Sequence, residues 1–387
     1  MALGIYIQVP FCQTKCTYCN FHTGVVSAEK YAPYAAAVQS EIANHRSLYA
    51  EAGVPAGQIE ASIVDTVYFG GGTPSLLDPS YLESIVVAIG ESFPSDWKEF
   101  TLEADPETVT REKAVAWAAA GINRVSFGVQ SFSDVELKSS GRMHRREDVY
   151  RAAPILRAAG IQNLSFDLIV GLPHQTPDSW RNSVEELIEL KPEHVSIYML
   201  EVDEGSRLGR ELISLGTKYS APAVPSDDQM ADSYNLARQL LSSTGYEQYE
   251  ISNWAKPGFA SRHNLKYWRR EPYLGFGAGA HSFNGTTRWA NAHDSAEYVA
   301  AIQAGKLPVE QLEAVTNDQA HEEEMFLGLR QLAGINLDQF EPSYAAALSA
   351  KLPPLESAGL IERRGNHIRL SPEKLSISNE VFVELLG

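Results

Sequence analysis

Cysteine is almost missing from this chain: three in 387 residues, at positions 12, 16 and 19. A small, odd, local group of thiols excludes a disulfide framework and points to a reducing, cytosolic setting. Long apolar runs are missing too. No stretch approaches the roughly 18 unbroken apolar residues of a membrane span, so any membrane association is expected to be peripheral at most. The start, MALGIYIQVP, lacks the basic region and apolar stretch of a signal peptide. Positive charge is in deficit, with 32 Lys+Arg against 49 Asp+Glu and a net charge of −17. That balance repels phosphates, and nucleic acid is not an expected partner.

What is present is a repeated strand–helix rhythm. Runs rich in β-formers stand at 4–10, 65–71, 100–106, 124–131, 163–173 and 194–202. Helical patterns follow at 28–50, 79–93, 107–120, 147–159, 178–190 and 227–243, with start signals such as Asp78-Pro79 and Thr176-Pro177-Asp178. Six such units predict a parallel α/β fold. Polar or glycine-rich ends on all six strands, at the Cys cluster, Gly70–Gly72, Glu103, Gln130, Asp167 with Gly171, and Glu201, favour an open six-stranded (βα) barrel with its site on that rim. The expected layout is a barrel over 1–245, a connecting segment over 246–310 and a winged-helix-like α+β region over 311–387.

The stretch VPFCQTKCTYCNF sets Cys12, Cys16 and Cys19 at C-x3-C-x2-C. A structural zinc wants four protein ligands, and an ordinary four-iron cluster wants four cysteines. Three thiolates leave one iron of such a cluster open to a small molecule, for which S-adenosylmethionine is the best-known occupant. His22 keeps a zinc site of three cysteines and one histidine arithmetically open. The glycines of YFGGGTPS let the backbone approach a ligand and offer N–H groups to anionic atoms, and they also suit a tight turn.

With YIQVPFCQTKCTYCNF, YFGGGTPS, LEADPE, SFGVQSF, GRMH, DLIVGLPHQT, RHNLKYW and GAGAHS, nearly the whole chain resembles the radical S-adenosylmethionine proteins of the coproporphyrinogen dehydrogenase-like family. The resemblance implies a partial barrel carrying a four-iron, four-sulfur cluster on Cys12, Cys16 and Cys19. It implies cofactor contacts from Tyr6, Tyr18, Gly71, Gly72, Thr73, Glu103, Gln130, Arg142 and Asp167.

Two branches of the family diverge. Oxygen-independent coproporphyrinogen III dehydrogenases, which decarboxylate two propionates, carry a further Cys where this chain has Phe21, and an extension ahead of the first strand. The haem-chaperone branch carries an H-N-x-x-Y-W motif, matched here by His263, Asn264, Tyr267 and Trp268. The expected function is therefore haem binding and delivery to an apo-haemoprotein, a respiratory enzyme being the expected client. The alternative is a radical tetrapyrrole enzyme. His263 reads either as an axial haem ligand or as a residue bonding backbone, with His281 of GAGAHS a rival ligand. The family also carries a tendency to dimerise through the cluster. Gln8 stands where the family usually has His, and Asn20 where Asp is common.

Overall fold

The computed structural model describes residues 2–55, 57, 59 and 62–386. Alternation of period two builds the barrel wall. In β1 (Ala2–Val9), Leu3, Ile5, Ile7 and Val9 are fully buried in the apolar layer, while Gly4, Tyr6 and Gln8 take the opposite face. The same split runs through β2 (Ile63–Gly71), β3 (Ser95–Ala104), β4 (Arg124–Gln130), β5 (Asn163–Val170) and β6 (His194–Met199). Their apolar set includes Val67, Phe69, Phe100, Leu102, Phe127, Phe166 and Ile197, all in the core. Their other set is polar or aromatic: Thr66, Tyr68, Thr101, Glu103, Ser126, Ser165, Asp167 and Ser196.

These six strands pair in sequence order and all run parallel. Helices α1 (Tyr31–Glu51), α2 (Pro79–Ser92), α3 (Arg111–Ala119), α4 (Asp134–Ser139), α5 (Arg146–Ala158), α6 (Pro177–Leu190), α7 (Arg207–Ile213) and α8 (Asp227–Ser243) lie along the connections. Starts are well marked. Asp78 caps α2 by accepting from the Ser80 N–H, and Pro79 takes the first position, where a missing N–H costs nothing.

The sheet is wider than the six expected strands. Among the described residues it holds twelve, because the segment after 245 adds to both edges. The strands β7 (Glu247–Glu250) and β8 (Asn253–Ala255) extend it beyond β6. After α9 (Arg262–Trp268), β9 (Tyr273–Phe276) pairs parallel with β1. Antiparallel strands β10 (His281–Phe283), β11 (Thr287–Asn291) and β12 (Val309–Ala314) complete that edge, with α10 (Ser295–Gln303) between the last two. A segment without long periodic runs gave no sign of sheet pairing, since such short strands are selected by their neighbours.

From 317 the order is α11 (Asn317–Arg330), β13 (Ile335–Asn336), α12 (Pro342–Ser357), the hairpin β14 (Ile361–Arg364) and β15 (His367–Leu370), and α13 (Ser378–Leu386). The three strands form a separate antiparallel sheet with β15 in the middle, as in a winged helix. No helix among the described residues is long and apolar enough to cross a membrane.

Candidate functional site

The cysteine loop leaves β1 and folds back on itself. Cys12 N–H donates to the Gly24 carbonyl at 3.0 Å, and Gly24 N–H to the Pro10 carbonyl at 2.8 Å. All three thiols are free and partly exposed. Burial pushes the Cys12 thiol up, opposed by the Thr23 and Thr73 hydroxyls, and it pushes Cys19 up as well. The Arg142 guanidinium lies 3.7 Å from the Cys16 sulfur.

The glycine run docks on this loop. Gly71 N–H donates to the Glu103 carboxylate at 3.0 Å, Gly72 N–H to the Val9 carbonyl at 2.8 Å and Thr73 N–H to the Phe11 carbonyl at 2.7 Å. The expectation of N–H groups free for an anion is therefore corrected: the protein uses all three itself. Glycine is required at 72, where an added Cβ would lie 2.5 Å from the Phe11 carbonyl oxygen.

Two linked groups face each other along the rim. Tyr6 OH donates to Gln8 at 2.8 Å and its ring stacks on Tyr68, whose OH donates to Glu103 at 2.8 Å. Burial holds the Glu103 carboxyl up at about 7, against the Tyr68 hydroxyl. Asp167 accepts from Ser126 Oγ at 3.2 Å, and burial raises it too. In the second group Asp105 accepts from Thr73 Oγ1 at 3.2 Å and pairs with Arg142, which also donates to the Gly128 carbonyl at 2.7 Å. Gln130, Arg142 and Asp105 converge where a side chain at 128 would begin. Gln130 sits at φ 65°, and its buried Oε1 has no hydrogen-bond partner among the described residues. A strained backbone presenting an unused buried acceptor is a feature of a binding site.

The rim thus brings together Cys12, Cys16, Cys19, Tyr6, Gly71, Gly72, Thr73, Glu103, Gln130, Arg142 and Asp167. Tyr18 lies on the cysteine loop beside Cys16 and Arg142. Glu201 is exposed, and Gly171 gives its N–H to Gln175. Two contributors were missed, Asp105 and Tyr68. Each stands inside a motif already singled out, at the period-two spacing that faces Glu103 and Gly70.

The RHNLKYW motif lies elsewhere, beneath the barrel. It forms α9, whose N-terminus is held by Glu99 of β3, accepting from Ser261 Oγ, Arg262 N–H and His263 N–H at 2.8–3.1 Å. The His263 ring reaches inward under Tyr6 and Tyr68. It is 1% exposed, with Nδ1 2.9 Å from Thr66 Oγ1 and Nε2 2.9 Å from Tyr267 OH. Burial holds its pKa down at about 3. Both ring nitrogens are thus engaged by side-chain hydroxyls, and haem ligation at His263 would require one of these bonds to open. Asn264 N–H bonds Ser261 within the helix, Tyr267 packs edge-on to Tyr273, and Trp268 lies under the Arg330 guanidinium of α11. The motif plugs the barrel and joins it to the C-terminal region. His22 does not turn to the cysteines as a zinc ligand; it stacks on His293.

The family model of the radical SAM superfamily matches residues 6–187, and that of the HemN C-terminal domain matches 315–374. The chain is 35% identical to the haem chaperone HemW of Bacillus subtilis, across 99% of this chain and 98% of that one. It is 36% identical to HemW of Escherichia coli over 72% of this chain and 69% of that one. A mitochondrial radical S-adenosyl methionine domain-containing protein 1 of Bos taurus is 32% identical over 99% and 87%. The solved structure of Escherichia coli coproporphyrinogen III oxidase (HemN), 20% identical, superposes with a TM-score of 0.83 over 99% of this chain and 89% of that one.

Proposed function

Because this chain belongs to the radical SAM superfamily, and within it to the family of the haem chaperone HemW, we propose that it binds haem and delivers it to an apo-haemoprotein, a respiratory enzyme being the expected client. The observation that carries this reading is the 35% identity to a protein of that name over essentially the full length of both chains. The exposed Phe21, in the place of a further cysteine, supports it against the decarboxylase branch.

The residues fit the cofactors that the family implies. Cys12, Cys16 and Cys19 are the chain's entire thiol supply on one loop, and a four-iron, four-sulfur cluster takes one thiolate per iron. Its thiolates need not converge on a point as the ligands of a single ion do. With its fourth iron open to S-adenosylmethionine, such a cluster supplies one-electron chemistry. The chain's own contributions are electrostatic and positional. Arg142 stabilises negative charge on the Cys16 sulfur and is itself held by Asp105. The Glu103 and Asp167 carboxylates offer acceptors to an ammonium and to hydroxyls, Gln130 offers its unused amide oxygen, and the rings of Tyr6 and Tyr18 wall the site. We place the protein in the cytoplasm, with peripheral contact at a respiratory membrane and a dimer bridged near the cluster as its assembly.

The test is an anaerobic haem titration of the cluster-reconstituted protein, followed by transfer to an apo-haemoprotein acceptor. Saturable binding with transfer is the expected result. Absence of haem binding together with carbon dioxide release from coproporphyrinogen III would overturn the reading in favour of the decarboxylase.

A further inference from the structure

Three histidines gather on one outer edge of the barrel. His22 follows the cysteine loop, His281 opens β10 and His293 follows β11. The rings of His22 and His293 stack with centroids 3.9 Å apart, and both residues act electrostatically on His281. His22 and His281 are exposed, and among the described residues no hydrogen bond engages a ring nitrogen of either. Partial burial, then the neighbouring His293, holds both below the ordinary imidazole range, so near neutral pH each keeps a free lone pair. His293 differs. Its Nε2 lies 3.8 Å from the Glu310 carboxylate and its Nδ1 is buried without a partner, so it backs the His22 ring with its remaining nitrogen turned to a carboxylate.

Among the described residues no three His, Cys, Asp or Glu side chains converge as a free metal ion requires. A haem iron asks for less, since the porphyrin supplies four nitrogens and the protein one axial imidazole. The neighbours of His22 suit the rest of that ligand. Phe21 and Val25 are 64% and 59% exposed, an unusual apolar showing for one short loop. The Lys15 ammonium, 3.4 Å from the Phe21 carbonyl, stands ready for a propionate.

We propose that this edge is the haem site: His22 supplies the axial nitrogen, backed by His293 with His281 beside it, and the porphyrin lies against Phe21 and Val25. The inference rests on the haem-binding reading above and moves the ligand from the barrel plug to the outer edge of the cysteine loop. The experiment titrates haem into the full-length, cluster-reconstituted wild type, His22→Ala, His281→Ala and His263→Ala, read by the Soret band and by ferric-haem EPR. His22→Ala is expected to weaken binding at least about tenfold, a loss of about 1.4 kcal/mol, and to lose the imidazole signature, with free imidazole restoring it and cluster absorbance unchanged. His263→Ala, checked for folding by circular dichroism, is expected to keep the wild-type affinity. Saturable wild-type binding that His22→Ala does not alter, whether or not His281→Ala does, overturns the site and leaves haem binding standing. A loss confined to folded His263→Ala also overturns it. No saturable binding by the wild type overturns the site and the haem-binding reading together.

Discussion

Glu41 lies on α1 with no solvent exposure, far from the cysteine loop in sequence. Its carboxylate accepts from the Gly277 N–H at 2.9 Å, Asn291 Nδ2 at 2.7 Å and Tyr298 OH at 2.5 Å, tying α1 to the β9–β11 edge. Burial raises its pKa from 4.5 to about 7, and the three donors pull only part of the way back. Between those values the unfolded carboxyl is ionised while the folded one keeps its proton. The folded state binds more protons across that window, so stability falls as pH rises and levels off above about 7. From about pH 5.5 to about pH 8 the loss is some 1.5 units at 1.36 kcal/mol each, or about 2 kcal/mol. Glu103 and Glu107 act in the same direction, while His263 and His144, held down by burial, act in the opposite one. The wild-type curve alone therefore decides nothing, and the difference from Glu41→Gln isolates the one group. The assay is urea unfolding of both proteins, metal-free and reduced, followed by far-UV circular dichroism at the two pH values. The wild type should lose about 2 kcal/mol more than Glu41→Gln over that interval. Parallel losses would refute the argument that this carboxyl is buried and reluctant to ionise.

Other perturbations have equally definite outcomes. Cys16→Ser should abolish the brown colour of anaerobically reconstituted protein and leave iron content near background, while circular dichroism stays close to wild type. Gly72→Ala forces a Cβ towards the Phe11 carbonyl; it should lower iron incorporation per chain, measured by iron and sulfide assay, with only a modest change in melting temperature. His263→Ala removes a buried ring that bonds Thr66 and Tyr267 and should cost about 2–4 kcal/mol in urea unfolding. Trp268→Ala takes away the surface under Arg330 and should speed limited proteolysis near 315 without altering cluster content.

The barrel was legible because its signals are local. Period-two alternation in β1 to β6 sorts residues to two faces, and the chain direction of a parallel strand assigns Cys12–Cys19, Gly71–Thr73, Glu103 and Gln130 to one rim. Short edge strands such as β8 and β10 carry no such pattern, and their pairing comes from the sheet they join. RHNLKYW was legible as a motif, but its place in the fold was not. Nothing in its seven residues announces that Glu99, over 160 positions away, caps the helix and draws His263 into the barrel floor.

The sequence by itself determined the chemistry available to this protein: three thiols on one loop, six polar strand ends, and membership of a family. It did so because neighbours along the chain and a fixed side-chain period carry that information. Only the tertiary structure decided which groups are free to act. It spent the N–H groups of the glycine run on Glu103, Val9 and Phe11, and it buried both nitrogens of His263. It also left His22 and His281 at the surface. Most of these partners lie far along the chain, 32 positions away for Gly71 and Glu103 and 197 for Thr66 and His263, and no local pattern encodes them.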